Sequence, residues 1–234
     1  MKTTFSLLTL VFLCNYSSAQ NKWFEVYTDS TLIIKDGNRL TEDLQKKISK
    51  IDKKVDLKDP RSKYNLWGPY YSPEQNTVNL SIWNLSPQWY KDFFIDIASG
   101  IEQGEKMFGL FFNGFYVPHE LGHALQFAVE NRAENEYDNE YTANIIGMLY
   151  WRKIGKEKEL TECYEYAKKA LLKMKNPIPE NEDVKKYFTE HYSEFGQDPY
   201  KYGFIQFSQF VKVYEDNSLP DFDTYIKKFI SKQK

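Results

Sequence analysis

Histidine and cysteine are both scarce in this chain, at three and two residues in 234. Cys14 falls in an N-terminal stretch that reads as removable, which leaves Cys163 alone and excludes an intramolecular disulfide. Long apolar runs are missing too. Residues 5–13 are apolar but too few to span a bilayer, and no later segment is long and apolar enough. Charge of one sign is also lacking: 31 Lys and Arg against 33 Asp and Glu give a net charge of −2. That gives no electrostatic reason to expect a nucleic-acid partner. Short cationic runs such as 45–54 read as solvated helix faces. Internal repeats and low-complexity linkers are absent. Aromatic residues are abundant, with 18 Tyr, 17 Phe and 5 Trp, which a disordered chain would not carry.

The N-terminus has the layout of a signal peptide. Lys2 precedes the apolar run, and "SSA" follows it, with Ser17 and Ala19 at the −3 and −1 positions. The expectation is removal of residues 1–19, leaving Gln20 first, and an exported protein, periplasmic or secreted. Its remaining 20–234 are read as a single domain. Leu13 stands before Cys14 where a lipidation site wants a small residue. Further on, Leu160, Cys163, Tyr164, Ala167, Leu171 and Met174 recur at helical spacing. Cys163 is therefore expected to be a buried small hydrophobe and not a nucleophile.

Periodicity predicts a small N-terminal sheet followed by a helical body, an α+β architecture. Residues 23–40 read as strands about a turn, 41–55 as a helix capped by Thr41, 58–76 as a loop, and 77–85 as an alternating strand. Helices are expected over 86–108, 117–132, 134–153, 159–175, 183–192, 200–215 and 221–232, the first opened by Ser86 and Pro87.

Two of the three histidines sit in "HELGH", residues 119–123. Four residues apart on a helix, His119 and His123 can direct both imidazoles at one ion. Glu120 is one residue round, able to reach a water at the metal without ligating it: two zinc ligands and a general base. Pro118 is tolerated if the helix begins there, and Leu121, Leu125 and Ala128 would form the buried stripe. A third ligand is needed. Gln126 and Val129 exclude the longer motif with a third histidine six residues after the second. A carboxylate on the next helix remains. Glu140, Ala143, Asn144, Gly147 and Trp151 share one face there, and its small residues, with Gly122 opposite, allow close backbone approach. Glu140 is favoured over Glu136, which lies one turn toward the helix start; Asp138, Glu130 and Glu134 are further competitors. Asn144 is placed to accept a proton from a ligand imidazole.

"HELGH" followed by "EYTAN" (140–144) resembles the gluzincin branch of the zinc metallopeptidases, a likeness of about 30 residues. The resemblance implies a zincin-like fold, Zn2+, peptide-bond hydrolysis, and a sheet whose edge strand aligns the substrate. The strand 77–85 is the candidate edge. Asn144 departs from the family, which has Asp there; an amide oxygen still accepts the imidazole proton but adds no charge. An oxyanion donor is sought among His191, Tyr192 and Tyr202. The expected partner is a peptide or protein substrate. Two other readings share the site: a zinc-stabilised binding protein without catalysis, and a zinc hydrolase of a non-peptide amide or ester.

Overall fold

Asp29 opens the first helix, its carboxylate accepting the Thr31 N–H at 2.7 Å. This α1 spans Ser30–Ile51. The computed structural model describes residues 26–231, so the expected signal peptide, with Cys14, Ser17 and Ala19, lies outside the described residues. The strands expected within 23–40 are not found from residue 30 onward. Thr31, Ile33 and Ile34 carry β-propensity, but Ile33, Leu40, Leu44 and Ile48 bury one helical face against the core. Burial of that face overrides local preference.

Residues 58–76, expected as a loop, contain β1 (Arg61–Tyr64) and β2 (Tyr70–Ser72). Both are short strands whose order comes from a neighbour, β3 (Thr77–Leu80). β3 lies between them, parallel to β1 (Ser62 beside Val78) and antiparallel to β2 (Tyr71 beside Val78). The expectation that 77–85 forms a sheet edge is therefore overturned. All four residues of β3 are buried, and residues 83–85 leave the sheet as a single 3-10 turn. The edge strand that packs against the HELGH helix is β2.

The helical body follows as α2 (Gln88–Ala98) and α3 (Ile101–Phe108), then α4 (Tyr116–Ala128) and α5 (Glu136–Lys153). After these come α6 (Glu157–Leu171), α7 (Val184–Glu190), α8 (Tyr192–Phe195), α9 (Pro199–Glu215) and α10 (Phe222–Ile230). The single helix expected over 86–108 is split by Ser99 and Gly100, both at positive φ. Residues Gly109–Phe115 form a wholly buried π-helical segment joining α3 to α4. α4 begins at Tyr116, so Pro118 does sit in its first turn, with π-helical backbone running into it. Pro118 has no N–H to offer Gly114, and the wider π turn lies where the regular bond would fall.

Aromatic side chains fill the core, with Phe94, Phe108 and Phe112 in mutual contact and Phe111 and Phe115 both packed on Phe210. Cys163 is fully buried within it, and burial pushes its thiol pKa up. A smaller cluster gathers Ile178, Phe188, Phe195 and Ile205. The chain is α+β, mainly helical with one three-stranded sheet. No helix among the described residues is long and apolar enough to cross a membrane.

Candidate metal centre

α4 and α5 form an antiparallel hairpin joined by a short turn. Asn135 caps α5, its side chain accepting the Asp138 N–H. The helices meet on small residues, as their sequences require. A Cβ added to Gly122 would lie 3.1 Å from Ala143 Cα, and one on Gly147 would lie 3.2 Å from the backbone nitrogen of His119. Both faces of α4 are covered: Leu121 and Leu125 are buried, and so are His119, Glu120 and Gln126. Ala128, expected in that stripe, is exposed because the helix ends there.

This contact brings the three expected ligands together. Glu140 Oε2 lies 3.3 Å from His119 Nε2 and 3.6 Å from His123 Nε2. One ligand atom from each of His119, His123 and Glu140 lies within 4.8 Å of the others. Atoms bound to a tetrahedral zinc at about 2.0–2.1 Å sit about 3.3 Å from one another, so the spacing fits that ion. The competing carboxylates are elsewhere. Glu136 pairs with Arg132, Asp138 with Lys185, and Glu130 and Glu134 are exposed.

The other ring nitrogens are fixed. His119 Nδ1 lies 3.0 Å from Asn144 Oδ1, and His123 Nδ1 lies 2.8 Å from Gln126 Oε1. An amide oxygen only accepts, so each Nδ1 carries a proton and each ring turns its Nε2 toward Glu140, the atom left to a metal once Nε2 is unprotonated. Each amide is oriented in turn. Gln126 Nε2 donates to the carbonyl of Asn139, and Asn144 Nδ2 donates to Gln209 Oε1 at 3.0 Å. Both oxygens of Glu140 are bonded: Oε1 accepts from Tyr192 Oη at 2.8 Å and Oε2 from Gln206 Nε2 at 2.7 Å.

Burial alone would raise the Glu140 carboxyl, but the imidazoles of His123 and His119 hold it well below the usual carboxylate range. Glu120 goes the other way. Burial pushes its carboxyl up, more than the two histidines and the backbone N–H of Tyr71 on β2 pull it down. Its Oε1 is 4.0 Å from His119 Nε2, close to the cluster but outside it. Two carboxylates in one pocket are thus driven apart, Glu140 toward the charged form and Glu120 toward the protonated one.

The remaining sequence candidates separate. Tyr202 lines a cavity of about 180 Å3 that also reaches His119 and Glu120. Its ring lies beside that of Tyr192, centroids 6.2 Å apart, and burial, then Glu140, raises its pKa. His191 is not brought to the cluster: its ring stacks on Tyr187 and its Nδ1 faces Glu194 at 3.3 Å, with 39% of the side chain accessible. The turn from α7 into α8 points the next residue, Tyr192, inward instead. Sequence reasoning missed Gln126, Gln206 and Gln209 as partners of the ligands. The signal available was "FIQFSQF" (204–210), where two glutamines three apart interrupt an aromatic helix face. No protein-family model matches the chain, and neither a curated protein nor a solved structure matches it.

Proposed function

We propose that this chain is an exported zinc metallopeptidase with a zincin-like site, in which His119, His123 and Glu140 hold the metal. The observation that carries the reading is the convergence of two Nε2 atoms and one buried carboxylate oxygen beside an unligated buried glutamate. Zinc held there would supply a Lewis acid that acidifies water and polarises a carbonyl. Glu120 accepts a proton from water and returns it to the leaving amine, a role its raised pKa suits. Tyr202, the sequence-named donor that lines the cavity, is assigned to the developing oxyanion. β2 supports substrate alignment: it is an edge strand and packs on α4. An extended peptide can pair with such an edge. The signal-peptide layout of residues 1–19 supports export.

The test is metal analysis with peptide digestion. One zinc per chain, cleavage stopped by a chelator, and a Glu120→Gln variant that keeps zinc but loses about 100- to 10,000-fold in kcat are expected. Bound zinc with no hydrolysis of peptides would instead leave a binding protein or a hydrolase of other amides or esters.

A further inference from the structure

The cavity beside Glu120 is lined mainly by rings, with Gln197 and Gln206 also in its wall. Phe93, Phe94, Phe112 and Phe207 form its walls, and His119 with Glu120 closes one end. Trp67 and Trp89 also line it, 64% and 49% exposed, with ring centroids 6.4 Å apart, so they stand at its mouth. The lining includes no lysine or arginine, and its one carboxylate is Glu120.

Three physical constraints select the occupant. The volume is about 180 Å3; a cavity of about 150 Å3 with apolar walls holds one benzene ring, so this one admits a single ring or branched chain. An acidic side chain would lie against Glu120 with no lysine or arginine in the lining to pair it, and a basic one would give up its hydration for the single carboxylate of Glu120. A small side chain would leave much of the space unfilled. Gly203 keeps the cavity open: a Cβ there would lie 3.0 Å from the end of the Phe93 ring and 3.6 Å from Phe207.

We infer that this cavity is the binding subsite for one large apolar side chain, aromatic by preference, and that it selects substrates carrying such a residue next to the cleaved bond. The second half rests on the hydrolase reading above; the first does not. The rim tryptophans meet the incoming chain, the ring of the selected residue enters between the phenylalanines, and its backbone is left beside Glu120.

Two measurements separate the two halves. Zinc-loaded Glu120→Gln protein is titrated with N-acetyl-L-phenylalaninamide and N-acetyl-L-alaninamide, following tryptophan fluorescence, to which Trp67 and Trp89 contribute. Saturable binding at least tenfold tighter for the phenylalanine amide is expected. Gly203→Val, which crowds Phe93, should remove that difference while zinc stoichiometry is kept; Phe207→Ala should move the preference toward N-acetyl-L-tryptophanamide, followed by isothermal titration because that probe itself fluoresces. Separately, a mixed peptide library digested by the wild-type protein should be cut at bonds flanked by Phe, Tyr, Leu or Met, at least tenfold over Ala in kcat/KM. Equal binding of the two amides, or cuts governed by charged or small residues, overturns the inference. Selective amide binding with every peptide left intact supports the subsite and removes the peptidase reading.

Discussion

Gly147 on α5 faces the backbone nitrogen of His119 on α4 so closely that a Cβ at residue 147 would lie 3.2 Å from it. The three groups that could hold a metal come from two helices, and this contact sets the distance between them. Gly147→Val should therefore push the helices apart, carrying Glu140 away from the imidazoles. Overpacking of this kind costs about 1–3 kcal/mol, more than the roughly 0.5 kcal/mol of helix propensity gained when valine replaces glycine. Lower thermal stability together with weaker zinc binding is expected. A variant with wild-type zinc affinity would mean that the close approach does not position the site.

Asn144 is not simply a weaker aspartate. Its Oδ1 holds His119, while its Nδ2 donates to Gln209 Oε1, and Gln209 Nε2 is committed to the carbonyl of Tyr137. Asn144→Asp would set a carboxylate oxygen against an amide oxygen in a fully buried position. Despite the added charge beside His119, this variant should lose about 1–3 kcal/mol of stability, the cost of an unsatisfied buried group. The double variant Asn144→Asp with Gln209→Leu should recover part of it. Thermal denaturation of the pair, with and without zinc, checks this coupling.

Tyr192 and His191 are neighbours in sequence with opposite environments. Tyr192→Phe removes the hydrogen bond to Glu140 Oε1, worth about 1.5–3 kcal/mol for a charged acceptor. Zinc affinity should fall by about 10- to 100-fold, as for other groups that orient a ligand. His191→Ala, at a partly exposed ring paired with Glu194, should change neither zinc affinity nor peptide cleavage by more than about twofold. Isothermal titration with zinc on both variants distinguishes them, and a large loss in His191→Ala would return that residue to the reaction.

The metal-free protein should show a distinct pH dependence. Burial lowers the His123 pKa, but the Glu140 carboxylate outweighs it, and the value is pushed up from 6.5 to about 9. A histidine raised on folding contributes stability that is fully present below its unfolded pKa and is lost as pH rises through the folded one. Chelator-treated protein should thus melt at progressively lower temperature between about pH 6.5 and pH 9. Zinc-loaded protein should run the other way over the lower part of that range, because protons compete with the metal for His123. Parallel melting curves in chelator and in zinc would show both slopes.

The residues of the site were legible in the sequence because helix geometry is local. The spacing of His119 and His123 fixes two imidazoles on one face wherever the helix sits, and the small residues at 122, 143 and 147 announce which face the next helix meets. The helical body was legible for the same reason. Sheet order was not: β1 and β2 are four and three residues long, and only pairing on either side of β3 makes them strands. The free edge therefore moved from β3 to β2. Nor could residues 30–40 be read correctly, since β-branched side chains there are held helical by what they pack against. Tertiary structure alone decided which distant groups complete the site. Gln206, Gln209 and Tyr192 lie more than 50 positions from Glu140 and have no periodic relation to it. Such partners meet through the docking of α8 and α9, which depends on burial of the whole aromatic core and not on any short pattern.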